Sequence, residues 1–156
     1  MELDDLDAFH SLVQDAHVRR YLLDGNLLPR EWSEQRIRAS QMLFERRSVG
    51  LWLVTDHANA LVGFCGFLEF PSMHAEPQLV YAMLERFTGQ GYATEMARAS
   101  ITHARTQPGF AQVFASVDAV NVASRRVLEK LGFEPVATQQ GSFGDMHVLR
   151  LAHAGG

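Results

Sequence analysis

A chain of 156 residues, 47% of them hydrophobic, can bury one sizeable core but not two, so a single domain is expected. Fourteen Lys and Arg against eighteen Asp and Glu leave a formal charge of −4, with no net attraction for nucleic acid or an anionic membrane surface. One cysteine, Cys65, excludes an intrachain disulfide and a thiolate-rich metal site.

In chain order, Leu3, Leu6, Phe9, Leu12 and Val13 recur at helical spacing, so the first helix begins close to Met1. A short helical patch over His17 to Leu23 is broken by Asp24-Gly25-Asn26, and Pro29 to Arg47 forms the next helix. After Gly50 the period changes to that of strands: Leu51 to Thr55 and Leu61 to Phe70, joined as a hairpin through Asp56 to Ala60. Cys65 lies within the second of these and reads as a buried packing thiol. Pro71 to Pro77 is a loop, Gln78 to Leu84 a strand, and Tyr92 to Arg105 a helix that stops before Pro108-Gly109. A strand at Val113 to Val117 leads to a helix capped by Asn121 and ended by Gly132. Strands at Phe133 to Thr138 and Asp145 to Leu151, with a turn over Gln139 to Gly144, precede a short frayed tail. This order predicts an α/β (α+β) fold: a mixed central sheet with helices on both faces. No basic-then-apolar leader and no apolar run of membrane length are visible, so a cytoplasmic location without membrane contact is expected.

The stretch that organises the rest is Tyr81 to Met96. A strand runs into a turn with Gly89 and Gly91 and then directly into a helix. That junction aims free backbone N–H groups at one point, which suits a phosphate or pyrophosphate, and a glycine there lets a ligand approach the main chain closely. Arg86 is the charged phosphate candidate of this loop. The seven histidines are scattered without metal-ligand spacing, so no metal is expected, and the glycines do not extend to a dinucleotide-binding pattern.

Arg86-Phe87-Thr88-Gly89-Gln90-Gly91 resembles the acyl-CoA signature of the GCN5-related N-acetyltransferase (GNAT) superfamily. Tyr81 before the loop, Glu95 after it, and the segment Asn121 to Phe133 resemble the branch that includes the ribosomal-protein alanine N-acetyltransferases. The resemblance covers roughly residues 51–151. It implies the acyl-CoA N-acyltransferase fold, with acetyl-CoA as cosubstrate and an amine, either a protein N-terminus or a small molecule, as acceptor. It further implies direct attack in a ternary complex. The pyrophosphate would meet the loop Arg86, Phe87, Thr88, Gly89, Gln90 and Gly91 and the helix start at Tyr92 and Ala93. Pantetheine would lie along Met83 and Leu84, with the amide of one of them polarising the thioester carbonyl.

Asn121 would approach the pantetheine arm and Ser124 the thiol end. One of Arg125 and Arg126 would approach a CoA phosphate, and Arg126 is retained with the cofactor-binding set. Many members carry a tyrosine four residues beyond the position of Ser124 that protonates the departing thiolate; this chain has Leu128, which leaves Ser124 or water. Related enzymes present a carboxylate near the position of Gln78, and glutamine cannot serve as a base. Glu69, Glu76 and His74 are the alternatives for removing the amine proton. Relatives begin with a strand, whereas this chain begins with a helix, so the sheet is expected to lack its usual first strand. The exposed edge left behind points to a homodimer. Acceptor choice would fall to residues before Leu51, to the Pro71 to Pro77 loop with Met73, and to the Gln139 to Gly144 turn. Against the enzyme reading stands an acyl-CoA-binding or sensing domain that has lost catalysis, supported by Gln78 and Leu128, and, more remotely, a structural interaction domain.

Overall fold

The computed structural model describes residues 1–72 and 74–152, so Met73 and the tail at 153–156, both included in the expectations above, lie outside the described residues. A 3-10 turn at Leu3–Asp5 leads into α1 (Leu6–Gln14), α2 (Ala16–Leu22) and α3 (Arg30–Arg47). The remainder alternates: β1 (Leu51–Thr55), β2 (Leu61–Leu68), β3 (Gln78–Met83), α4 (Tyr92–Arg105), β4 (Gln112–Asp118), α5 (Val122–Lys130), β5 (Glu134–Gly141) and β6 (Gly144–Ala152). The six strands form one sheet in the order β1-β2-β3-β4-β6-β5. Only β3 and β4 run parallel; the other neighbours are antiparallel. The sheet is therefore mixed, as expected, and among the described residues no strand precedes Leu51.

Side-chain alternation along β3 divides the interior in two. Leu79, Tyr81 and Met83 face a cluster with α4 and α5, including Ala97, Ile101, Val113, Val117 and Leu128. Val80 and Ala82 face the opposite cluster, built by Phe9, Leu12 and Val13 of α1 and Val18 of α2 against Leu51 and Phe64. The helix α3 serves both, sending Ile37 to the second cluster and Leu43 to the first. The buried positions of α4 are Ala93, Met96, Ala97, Ser100, Ile101 and Ala104, a stripe at three- and four-residue spacing that holds the helix on the sheet.

Two strand ends differ from the sequence reading by more than one residue. The strand β2 ends at Leu68, where its ladder with β3 also ends at the Leu68–Gln78 pair; Glu69 and Phe70 have no strand partner and leave the sheet. The expected turn over Gln139 to Gly144 is instead a ladder as far as Gly141 opposite Gly144, with only Ser142 and Phe143 between the strands. Every residue from Glu134 to Gln140 is exposed, so no core-facing alternation marks this strand in the sequence.

Candidate functional site

The strands β3 and β4 share a single register pair, Gln78 with Phe114, and diverge beyond it. A cavity of about 1130 Å³ occupies the opening. Consecutive residues Leu79 to Met83 line it on one side and Ala115 to Asp118 on the other, so the strand backbones themselves face the space. The direction of the β3 backbone follows from its other neighbour. The Leu84 amide donates to the Val62 carbonyl at 2.9 Å, and its pairing places residues of even number in hydrogen bonds with β2. The N–H and C=O groups of Leu79, Tyr81 and Met83 consequently point toward β4 across the opening. Of the two amides considered for polarising a carbonyl, Leu84's is already bonded and Met83's is directed into the cavity.

Thr88, Gly89, Gly91, Tyr92, Ala93 and Thr94 continue the lining onto the first turn of α4. Gly91, with φ of +87°, occupies the cap position, and no side chain caps the helix. Among the described residues, the amides from Gly89 to Thr94 meet no protein acceptor. A Cβ placed on Gly89 or Gly91 would meet nothing within 4 Å, so open space lies in front of those donors. Uncapped first-turn amides facing open space are what an anionic phosphate chain requires.

From α5 the cavity receives Asn121, Ser124, Arg126 and Lys130. Asn121 Oδ1 accepts from the Ser124 amide at 3.1 Å, so the expected helix cap is present. The hydroxyls of Tyr81 and Ser124 lie 2.7 Å apart. Burial, outweighing the Ser124 hydrogen bond, pushes the Tyr81 phenol up to about 12 and keeps it neutral. Arg126 and Lys130, four residues apart, both face the cavity. Arg125 is not part of the lining and donates to the Ala119 carbonyl at 3.3 Å.

The remaining wall carries the opposite charge. Asp24, in the turn after α2, accepts from the Ser142 hydroxyl at 2.8 Å and thereby links that turn to the β5–β6 hairpin. Asp118 ends β4 beside the same hairpin, and both carboxylates line the cavity. Burial and then the neighbouring Asp24 charge raise the Asp118 carboxyl above its ordinary value. Nothing in the local sequence couples Asp24 to Asp118. Lys130, by contrast, could have been found from its spacing to Arg126.

Several expected site residues lie elsewhere. Glu69 pairs with Arg46 at 2.8 Å and Glu76 with Arg47 at 2.9 Å, and neither lines the cavity. His74 stacks on Phe114 with ring centroids 4.0 Å apart and accepts from the Glu76 amide, also outside the lining. Leu84, Phe87 and Gln90 do not line it, and Arg86 extends to the Leu61 carbonyl at 3.4 Å. Gln78 and Leu128, by contrast, do line the cavity: Gln78 is buried and accepts from the Ser116 hydroxyl at 2.6 Å, and Leu128 is also a core side chain. Burial holds the Cys65 thiol up at about 12, with Ser100 as its hydrogen-bond partner, so it is a packing residue with no thiolate to offer near neutral pH. Among the described residues no group of three metal-ligating side chains converges.

The chain is 31% identical over 136 residues to YkkB of Bacillus subtilis, covering 83% of this chain and 75% of that protein. It is 24% identical over 131 residues to the uncharacterized N-acetyltransferase YoaA of the same organism, covering 83% and 74%. Among solved structures it superposes on RimL, a ribosomal L7/L12 alpha-N-protein acetyltransferase in complex with coenzyme A. That match has a TM-score of 0.81 at 17% identity and covers 97% of this chain and 90% of that one. A spermidine N-acetyltransferase from Vibrio cholerae, in complex with CoA and spermine, matches with a TM-score of 0.79 at 15% identity, covering 99% and 93%. Identities this low establish a shared fold. The family model described as "Acetyltransferase (GNAT) domain" matches residues 1–134, and on that match the chain belongs to the GNAT acetyltransferases.

Proposed function

We propose that this protein transfers the acetyl group of acetyl-CoA to an amine in a ternary complex. The observation that carries this reading is the opening between β3 and β4, which ends on the uncapped first turn of α4 with open space before Gly89 and Gly91. Acetyl-CoA supplies an activated acyl group with a tolerable thiolate leaving group. The chain supplies the surroundings. First-turn amides, assisted by Arg126 and Lys130, hold the phosphates. The Met83 N–H donates to the thioester oxygen as negative charge develops there, a contribution of about 3 kcal/mol for a well-aimed donor. The Ser124 hydroxyl donates to sulfur as the C–S bond breaks.

The acceptor enters from the wall of Asp24 and Asp118, whose carboxylates attract an ammonium and, through water, receive the proton that it must lose before attack. This places proton removal on cavity carboxylates rather than on Glu69 or Glu76, which are held by arginines outside it. The structural neighbours act on a ribosomal protein N-terminus in one case and on spermidine in the other, so the acceptor here is proposed at the level of a cationic primary amine.

Acetyl-CoA should raise the melting temperature, because a ligand held only by the folded state adds to its stability. Free-thiol release should then appear with at least one acceptor from a panel of polyamines, aminoglycosides, amino acids and N-terminal peptides. A clear thermal shift with no thiol release across the panel would favour the sensing domain, the reading that Gln78 and Leu128 support. No thermal shift would overturn both.

A further inference from the structure

Ser124 has a hydroxyl proton to place, and its surroundings decide where it goes. Among the described residues its Oγ has one side-chain partner, the Tyr81 hydroxyl at 2.7 Å. The Tyr81 oxygen also lies 3.3 Å from the Ser124 carbonyl, a longer and weaker alternative. A neutral phenol has one proton, and the nearer, better acceptor is Ser124 Oγ. With that proton directed onto Oγ, the seryl proton finds no acceptor in the protein and is left for the cavity, which both residues line. Donating into a hydroxyl also strengthens the hydrogen bond that the hydroxyl makes in turn.

We propose that Tyr81 is a positioning residue: its phenol fixes the Ser124 hydroxyl so that the seryl O–H points at the sulfur of CoA and hydrogen-bonds to it. The inference rests on the acetyl-transfer reading for its ligand, but the donor arrangement belongs to this chain. It is compatible with a leucine at position 128, because a hydroxyl pair reaching from β3 to α5 stabilises the departing thiolate by hydrogen bonding without an acid carried on the helix. The Tyr81 phenol stays protonated throughout and only orients. During transfer the electron pair of the broken C–S bond goes to sulfur, where the Ser124 hydrogen bond stabilises it. The proton that completes the CoA thiol is the one released by the amine nitrogen, delivered through water.

The test reads the bound thiol rather than turnover. The ultraviolet absorbance of the CoA thiolate is titrated on the protein, with the complex of dethia-CoA as blank; Cys65, whose thiol burial pushes up, contributes alike to sample and blank. A hydrogen bond to the thiolate lowers the bound thiol pKa. Tyr81→Phe keeps the ring in its packing and should raise that pKa by about one unit, as should Ser124→Ala, in line with the value of a hydrogen bond to a charged group. The double variant should rise no further, since the two hydroxyls act as one device. A CoA-induced thermal shift equal to wild type controls for folding. An unchanged thiol pKa in Tyr81→Phe, or additive shifts in the double variant, would overturn the proposal. Shifts as expected with no acetylated amine would leave it standing and remove the acetyl-transfer reading. Normal transfer with an unmoved thiol pKa would do the reverse.

Discussion

Ser124 is tied at both its main chain and its side chain, through the Asn121 cap and the Tyr81 phenol. Removing its hydroxyl leaves the cap intact, so Ser124→Ala should fold and bind acetyl-CoA normally. It should lose about tenfold to a hundredfold in kcat, the worth of one hydrogen bond to a developing charge; thiol-release kinetics beside a CoA thermal shift will check this. Asp118 yields a prediction in pH. Its folded-state carboxyl lies above its ordinary value of 3.8, so the folded protein prefers the protonated form and ionisation works against folding. The stability contribution therefore falls as pH rises from the ordinary value through the raised one. Asp118→Asn should melt higher than wild type at neutral pH and lose that advantage below about pH 4, as read from melting curves over a pH series. A carboxylate kept at this cost to folding fits a role toward a cationic acceptor.

At the scale of elements, the junction of β3 with α4 brings fold and site together. Its glycines are explained by a left-handed cap and by the space in front of it, both absent from a simple strand-to-helix turn. Gly91→Val should cost about 1–2 kcal/mol of stability, because a branched side chain is forced to positive φ. On the proposed binding mode it should also abolish the acetyl-CoA thermal shift, because the new side chain fills the open space in front of the first-turn amides; paired denaturant and thermal melts separate the two effects. The helix itself was legible from its helix-compatible run after Gly91 and its Pro-Gly stop. The end of β5 beyond Thr138 was not, since Gln139 and Gln140 are exposed, polar and held in the sheet only by their pairing with β6. A strand solvated along its length leaves no period-two signal to read.

Over the whole molecule the charge is distributed rather than abundant. The net of −4 conceals a cavity with Arg126 and Lys130 on one wall and Asp24 and Asp118 on another. Replacing Arg126 and Lys130 together by alanine should weaken acetyl-CoA binding about tenfold and flatten its salt dependence without eliminating it, because uncharged backbone donors carry the rest; calorimetric titration at two ionic strengths will measure both. By itself the sequence determined the element order, the mixed helix-and-sheet class, the glycine turn that opens α4 and the Asn121 cap. Each of these depends on neighbours within a few residues or on a local period. The splay between β3 and β4, the Tyr81–Ser124 pair, the facing of Asp24 and Asp118, and the removal of Glu69 and Glu76 to arginine partners were decided by tertiary structure. Each joins residues distant in the chain, and only the packed sheet sets which backbone groups remain unpaired and which carboxylates lose their water.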